Sequence, residues 1–254
     1  MKSILFSLLF IVVVFSSCQP VHYIPNMHNI PVLTQKGEGA ISVGISGGGL
    51  QPVSQINLQT SYLLTNHFAL KTTSSLHDLV ISSNDNIVSR SKAQRHQLGF
   101  GYLFSDPIGN SSKDNYIGHV GIWGITGIGN INNYSESQGE LSANMFLLGI
   151  NPTFSISRNF FSASLSTKFF HLRYNKIEGD LLFGGNNEID FLSQRKNNFI
   201  VEPALTMRAG LKKLKFVWQF LYSNNLSYGN ERQPTRNFSF GLTYNFLTRK
   251  KKFL

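Results

Sequence analysis

The chain has 254 residues, a formal net charge of +10, 13 % aromatic residues and 14 % charged residues. Soluble domains carry about 25 % charged residues, so this composition does not favour a charge-rich soluble surface. No run of Lys and Arg is interleaved with aromatic residues, so the basic excess favours loops near anionic lipid headgroups over a nucleic-acid-binding protein. The length and the even composition predict one large β domain.

The N-terminus predicts an export signal over residues 1–17. Lys2 precedes an apolar run at 4–15 that is too short to span a bilayer, which takes about 20 residues. Small residues then precede Cys18, the only cysteine. This order resembles the lipobox of bacterial lipoproteins, although Phe15 stands where that motif usually has Leu. The resemblance implies that Cys18 is lipidated, and Gln19 after it implies sorting of the protein to the outer membrane. The alternative is ordinary signal cleavage that leaves Cys18 idle.

Residues 18–37 contain Pro20, Pro25 and Pro31 and show no periodicity. Proline fixes φ and offers no ladder donor, so this stretch predicts a lipidated tether or an extended segment that crosses a lumen. His22 and His28 lie here at a spacing unlike that of a helix-borne metal pair. We expect no metal and no cofactor.

From residue 38 onward, period-two alternation predicts about ten strands and no helix. The closing strand shows it best, with Phe238, Phe240 and Leu242 on one face and Ser239 and Gly241 on the other. The predicted strands cover 38–46, 53–64, 67–77, 92–104, 115–129, 140–156, 160–174, 197–211, 214–222 and 236–248.

The predicted connections alternate in length. Those after the second, sixth and eighth strands have about two or three residues, and the one after the fourth has about ten. Those after the third, fifth, seventh and ninth, at 78–91, 130–139, 175–196 and 223–235, all have about ten or more. Short turns at one end and long loops at the other are typical of outer-membrane barrels.

Over residues 38–248 the chain therefore resembles the bacterial outer-membrane β-barrel proteins, in pattern and without a diagnostic motif. The resemblance implies a cell-envelope, porin-like fold: all-β, a single antiparallel up-and-down transmembrane β-barrel of about ten strands. It also implies outer-membrane lipid and the barrel-assembly machinery as partners. An even strand number places both barrel ends in the periplasm, where a lipidated Cys18 would hold the N-terminus. Residues 249–254 are predicted to be a basic tail.

Two sets of residues are candidate functional sites under this strand parity. Six charged side chains are predicted to face the lumen, either as an anion-attracting surface or as a structural plug in which Glu202 bridges the cations: Lys71, Arg95, Lys168, Glu202, Arg208 and Lys215. Five aromatic residues are predicted to form girdles at headgroup level: Tyr62, Tyr102, Trp218, Tyr222 and Tyr244.

No catalytic motif is evident, so the sequence favours a non-enzymatic barrel with a structural or ligand-binding role through its long outer loops. One alternative is a lipid-modifying barrel enzyme, which needs a Ser–His pair near the outer rim; its candidate histidines are His77, His96, His119 and His171. The other is a lipid-anchored, soluble periplasmic barrel like a lipocalin, binding an apolar ligand. It requires apolar faces inside, with Lys168 and Arg208 in water.

Overall fold

The computed structural model describes residues 20–48, 55–83, 86–108, 116–211 and 213–248. The predicted signal segment, Cys18 and the predicted basic tail lie outside these residues. The strands are β1 Glu38–Gly48, β2 Gln55–Leu63, β3 Phe68–Ser83, β4 Asn86–Ile108, β5 Tyr116–Ser135, β6 Gly139–Ile150, β7 Thr153–Arg158, β8 Phe161–Gly179, β9 Leu182–Phe183, β10 Asn186–Asn187, β11 Asn197–Gly210, β12 Leu214–Tyr222, β13 Asn224–Asn225 and β14 Arg236–Leu247. The one helix among the described residues is α1, Glu188–Gln194.

The long strands pair antiparallel with their chain neighbours and close into a ring. β1 pairs with both β2 and β14, so the first and last strands join. β6 and β7 both lie between β5 and β8 and together fill one strand position. Ten positions therefore make a closed up-and-down barrel, as the sequence predicted.

The interruption between β6 and β7 falls at Asn151 and Pro152, where we predicted one continuous strand. Pro152 has no N–H to donate to the ladder, which explains the break. Asn151 is fully buried, and its side chain donates to the carbonyl of Thr167 at 3.2 Å and accepts from Lys71 Nζ at 2.6 Å. The break thus places the Asn151 amide inside the barrel, where it hydrogen-bonds to Lys71.

The outer face of the barrel is apolar. Its interior is polar over much of the wall, with a buried apolar cluster on β5, β6 and β8 that includes Trp123, Leu147 and Phe170. Ile122 and Phe216 point outward and are 58 % and 59 % exposed, whereas Lys168 and Arg208 are buried. A lipid-facing apolar surface around a polar lumen is the arrangement of a transmembrane barrel. It is the reverse of what the lipocalin-like alternative requires. Among the described residues, no helix is long and apolar enough to cross a membrane.

The barrel has two unlike ends. One, the short-turn end, holds the start of β1, the end of β14 and the brief β2–β3, β7–β8 and β11–β12 connections. The other, the loop end, holds the β8–β11 and β12–β14 connections, of which the first contains β9, β10 and α1.

Two of the predicted loops are wrong. Residues 78–91 and 130–139 are mostly strand, because β3 and β4 pair as far as Ser83 and Asn86, and β5 pairs with β6 as far as Ser135. These extensions do not alternate in sequence, because Leu79, Val80 and Ile81 are consecutive apolar residues and Asn132 and Asn133 are consecutive polar ones. The period-two signal is therefore lost while the backbone ladder continues. The prediction of no helix was also wrong: α1 has only seven residues, too few for a helical period to show.

Candidate functional site

Residues 20–37, here called the lumen segment, run through the inside of the barrel. The segment starts at the loop end and reaches the short-turn end just before β1. Its contacts follow chain order along that path: Val21 with Asn133, His22 with Arg232, Leu33 with Ser105, and Gly37 with Leu63 and Thr248. Of the two readings left open for this stretch, a tether or a lumen-crossing segment, the structure shows the second for residues 20–37.

The segment is extended and has no strand partner, so its peptide carbonyls need other donors. Side chains of the barrel wall supply them. Nine wall side chains each donate a hydrogen bond to a backbone carbonyl of the segment: Asn133 to Val21 at 3.0 Å, Tyr174 to His22 at 3.0 Å, Arg95 to Ile24 at 2.9 Å, Asn237 to Pro25 at 2.6 Å, Gln59 to Met27 at 2.8 Å, Gln219 to His28 at 3.1 Å, Lys71 to Asn29 at 3.0 Å, Arg208 to Ile30 at 2.8 Å, and Ser105 to Leu33 at 3.2 Å.

The six charged residues predicted for the lumen are all buried within the barrel. Lys168 donates to Asn26 Oδ1 at 3.0 Å and to Gln97 Oε1 at 3.3 Å. Arg95 also lies over the Tyr23 ring, at 4.7 Å from its centroid. Four of the five cations therefore donate to neutral oxygens, most of them on the lumen segment. Whether the set attracts anions or acts only as a plug stays a prediction.

Glu202 does not bridge the cations. It accepts from Tyr23 OH at 2.8 Å and from Ser223 Oγ at 3.1 Å, and its second oxygen lies 3.5 Å from His28 Nε2. Among the described residues, none of its ion pairs within 4.0 Å is with Lys or Arg. The carboxylate thus fixes two side chains of the lumen segment.

His28 stands between Ser166 and Glu202. Its Nδ1 lies 2.8 Å from Ser166 Oγ, and its Nε2 faces Glu202. The row has the composition of a nucleophile, a base and an orienting acid. All three side chains are buried, and the row joins the lumen segment to the barrel wall.

The loop end of the lumen is closed by three side chains, here called the mouth cluster: His22, Glu188 and Arg232. Arg232 donates to both oxygens of Glu188, at 3.1 and 2.8 Å, and His22 Nε2 lies 3.2 Å from the same carboxylate. Glu188 is positioned by α1, whose N-cap Asn187 accepts from the backbone N–H of Ile189.

Burial sets the protonation of the mouth cluster, which lies outside the membrane-spanning strands. Desolvation lowers the pKa of His22 below its ordinary value, and the attraction of Glu188 only partly offsets this. For Glu188, desolvation raises the pKa, but the contacts with His22 and Arg232 outweigh it and the pKa lies below its ordinary value. A neutral His22 beside an ionised Glu188–Arg232 pair is the expected state at neutral pH.

A small cavity opens beside the mouth cluster. Two guanidinium groups border it: Arg195 lies over the Phe191 ring at 4.1 Å, and Arg232 at 5.3 Å. Its lining comes from both the lumen segment and the outer loops: His22, Tyr23, Tyr174, Phe191, Leu192, Arg195, Asn198, Asn225, Tyr228, Gly229, Glu231, Arg232 and Gln233.

The candidate histidines of the enzyme alternative are scattered. His96 Nδ1 lies 3.0 Å from Ser74 Oγ on the outward face, and His119 bridges Ser105 and Ser157 inside the short-turn end. Two histidines outside this candidate set, His22 and His28, each lie next to a carboxylate. His77 and His171 lie on β3 and β8, apart from these pairs. No three metal-ligating side chains cluster in the described part of the chain.

The five predicted girdle residues lie at different heights. Tyr62, Tyr102 and Tyr244 lie near the short-turn end, since they stand next to a strand end or opposite the first residue of a neighbouring strand. Tyr222 ends β12 at the loop end, and Trp218 lies midway along that strand. Their anchoring role stays a prediction.

Sequence reasoning missed three groups of residues: Tyr23 and Asn26, which contact the lumen cations, Gln219, which holds the lumen segment, and Glu188 and Arg232 of the mouth cluster. The available signal was weak. The proline-containing stretch holds two His, two Asn and one Tyr but no Asp or Glu, which suits a segment that hydrogen-bonds to a polar wall.

No protein-family model and no curated protein sequence matches the chain. Solved structures similar to it include an outer membrane channel from Pseudomonas putida F1, with a TM-score of 0.37 and 10 % identity over 88 % of this chain and 100 % of that one. The KdgM porin has a TM-score of 0.34 and 9 % identity over 82 % and 99 % of the two chains. The NanC porin has a TM-score of 0.32 and 8 % identity over 83 % of this chain and 100 % of that one. At these low TM-scores and identities, the similarity supports no conclusion about this chain. The barrel architecture is established by the strand pairing and the burial pattern.

Proposed function

We propose that this protein is a bacterial outer-membrane β-barrel that its own N-terminal segment keeps closed, and that it acts through the surface of its loop end. The observation that carries the proposal is the filled lumen. An apolar outer face fits lipid, while a segment bonded to the wall by nine backbone carbonyls leaves no open path along the barrel axis.

The loop end faces the outside of the cell in this proposal, as long loops do in outer-membrane barrels. The lumen segment starts at that end, so Pro20 lies towards the outer side of the barrel, and the proposal extends to an N-terminus on that side. From the sequence we expected a periplasmic N-terminus, on the assumption that residues 18–37 lie on the same side as the start of β1. The position of Pro20 at the loop end supports the outer side instead. A lipid on Cys18 would then enter the outer leaflet.

Membrane separation combined with a gel of boiled and unboiled protein tests the proposal. We expect the protein in the outer-membrane fraction, with a heat-dependent shift in mobility that marks a detergent-resistant barrel. Release by carbonate, or the absence of a shift, would contradict it.

Epitope insertion tests the orientation. Tags between Gln19 and Pro20 and between Gly184 and Gly185 should be detected on intact cells, and a tag between Thr65 and Asn66 only after permeabilisation. A Gln19→Cys variant probed with an impermeant maleimide provides the same test without an insertion. Detection of the Gly184 tag but not the N-terminal label on intact cells would overturn the outward N-terminus alone.

A further inference from the structure

The wall cations of the lumen are balanced by dipoles and not by charge. Lys71, Arg95, Lys168 and Arg208 donate to neutral oxygens, and Lys215 is buried near Arg208 at the short-turn end. Glu202 is the one buried acid on the described lumen wall below the mouth cluster. Five cations against one carboxylate give a formal excess of four positive charges (5 − 1 = 4).

The lumen segment supplies much of the solvation of these cations. Its described residues from Pro20 to Gln35 include no Asp or Glu, so it brings carbonyl and amide oxygens but no negative charge. The segment oxygens that the four donors reach belong to Ile24, Asn26, Asn29 and Ile30, and wall residues supply further oxygens. Seven extended residues cover about 20 Å, so the cations form a ladder over much of the bilayer thickness.

The space that the segment fills is as wide as an extended peptide with its side chains. Around it the wall presents mainly hydroxyl and amide groups: Ser42, Ser46, Gln55, Asn57, Gln59, Ser61, Thr73, Ser75, Gln97, Ser164, Ser166, Thr206, Gln219, Ser239 and Thr243. If the segment leaves, a hydrated path remains in which charged side chains of one sign predominate. Basic side chains that line a pore favour anions over cations.

We propose that displacement of the lumen segment converts this barrel into an anion-selective channel for small carboxylate-sized or halide-sized anions. In the open state the passing anion replaces the oxygens of the segment as the partner of four cations: Lys71, Arg95, Lys168 and Arg208. The inference rests on the proposed outer-membrane barrel and goes beyond it, since the closed protein conducts nothing.

Repulsion between like charges offers a way to displace the segment in the full-length chain. Asn26 accepts from Lys168, and the backbone of Asn29 accepts from Lys71. The double substitution Asn26→Arg and Asn29→Arg sets one new cation against Lys168 and places a second beside the carbonyls of Thr60 and Thr72, in a lumen that already has an excess of positive charge. Buried like charges without partners are strongly unfavourable. The double variant Asn26→Gln and Asn29→Gln is the matched control, because it lengthens both side chains without adding charge.

Planar-bilayer recording in a KCl gradient is the test, with the heat-dependent gel shift as proof that each variant is folded. The arginine variant should give currents whose reversal potential shows chloride preference, and the glutamine control should be silent or nearly so. Adding Lys71→Gln and Lys168→Gln to the arginine variant should reduce the anion preference several-fold. Lys92→Gln, at an exposed position on the outer face, should leave it unchanged.

The outcomes separate the two proposals. A folded arginine variant that conducts without anion preference, or that stays silent, overturns the channel inference and leaves the closed barrel standing. Loss of the gel shift in the unsubstituted protein contradicts the barrel itself. If the arginine variant alone fails to fold, the same recording on Asn26→Lys, which sets a single new cation against Lys168, decides: a chloride-selective current supports the inference, and silence or a current without anion preference overturns it.

Discussion

A single glycine on β4 makes room for the largest fully buried side chain of the barrel. A Cβ on Gly101 would collide with the ring of Trp123, which is fully buried, and Lys71 Nζ lies 4.4 Å above that ring. Packing at this point therefore positions one of the lumen cations. Strand parity could predict that Lys71 faces inward, but not that it rests on a tryptophan two strands away.

Gly101→Ala should destabilise the barrel by about 1–3 kcal/mol, the usual cost of overpacking. The measurement is the denaturant midpoint of the detergent-solubilised protein. Gly124→Ala is the control, because a Cβ there meets only Phe100 O at 3.9 Å. Equal midpoints for the two variants would show that the Trp123 packing is not as described.

Gln219 is the clearest example of a wall residue that serves the lumen segment. Its Oε1 accepts the backbone N–H of His28 at 2.6 Å, and its Nε2 donates to the carbonyl of the same residue at 3.1 Å. The pairing imitates one rung of a β ladder with a side chain in place of a strand.

Gln219→Ala should lower the free energy of unfolding by about 1–3 kcal/mol, because it leaves buried backbone groups of His28 unpaired. Chemical denaturation in detergent measures the loss. Gln94→Ala, at an exposed position of the outer face, should be nearly neutral. A similar loss in both variants would argue that the wall amides do not hold the segment.

The six lumen charges show how much of the candidate site can be predicted from the sequence. Alternation on β3, β4, β8, β11 and β12 predicted that all six lumen charges point inward, since a strand turns successive side chains to opposite faces. Their partners could not be predicted, because Lys168 and Asn26 are 142 residues apart in the chain. Only closure of the barrel around the segment brings them together.

At the scale of elements, the mouth cluster joins three parts of the chain: the lumen segment, α1 and the β12–β14 connection. His22 is held neutral by burial, with its pKa below the ordinary value, and the pKa of Glu188 is also lowered. In both cases the unfolded state binds more protons than the folded state at acidic pH. The stability of the cluster is therefore full at neutral pH and is lost as the pH falls.

Acidification from pH 7.5 to 5.5 should loosen the start of the lumen segment, because the range crosses the ordinary histidine pKa of about 6.5. The measurement is the hydrogen-exchange protection factor of the His22 amide, which donates to Arg232 O at 2.8 Å, corrected for the intrinsic rate. Protection should fall with pH, and His22→Gln should remove most of the change. An unchanged pH dependence in that variant would exclude His22 as its source.

The elements differ in how far the sequence predicts them. The ten strand positions follow from alternation, whereas the extensions of β3 to β5 do not, because consecutive apolar or consecutive polar residues interrupt the alternation there. β5 is also difficult for a physical reason: Trp123 and Ile125 are apolar yet point into the lumen, so hydrophobicity alone does not assign its inner face. The path of the lumen segment needs tertiary structure, since nothing local distinguishes it from a tether.

For the whole molecule, the order of folding follows from the topology. The lumen segment precedes β1 in the chain, and the ring closes only when β1 pairs with β14 over eleven residue pairs, from Glu38–Leu247 to Gly48–Asn237. The barrel can therefore close around the segment, and no chain end has to be threaded through a finished ring. The segment then belongs to the folded core of the barrel.

Conductance of the folded, unsubstituted protein in planar bilayers tests the closed barrel most directly. The same preparation must show the heat-dependent gel shift, so that silence reports a filled lumen and not a failure to insert. We predict a folded, inserted protein without steady current at moderate voltage, because the lumen segment occupies the axis of the barrel. A steady ohmic current from that preparation would contradict the account.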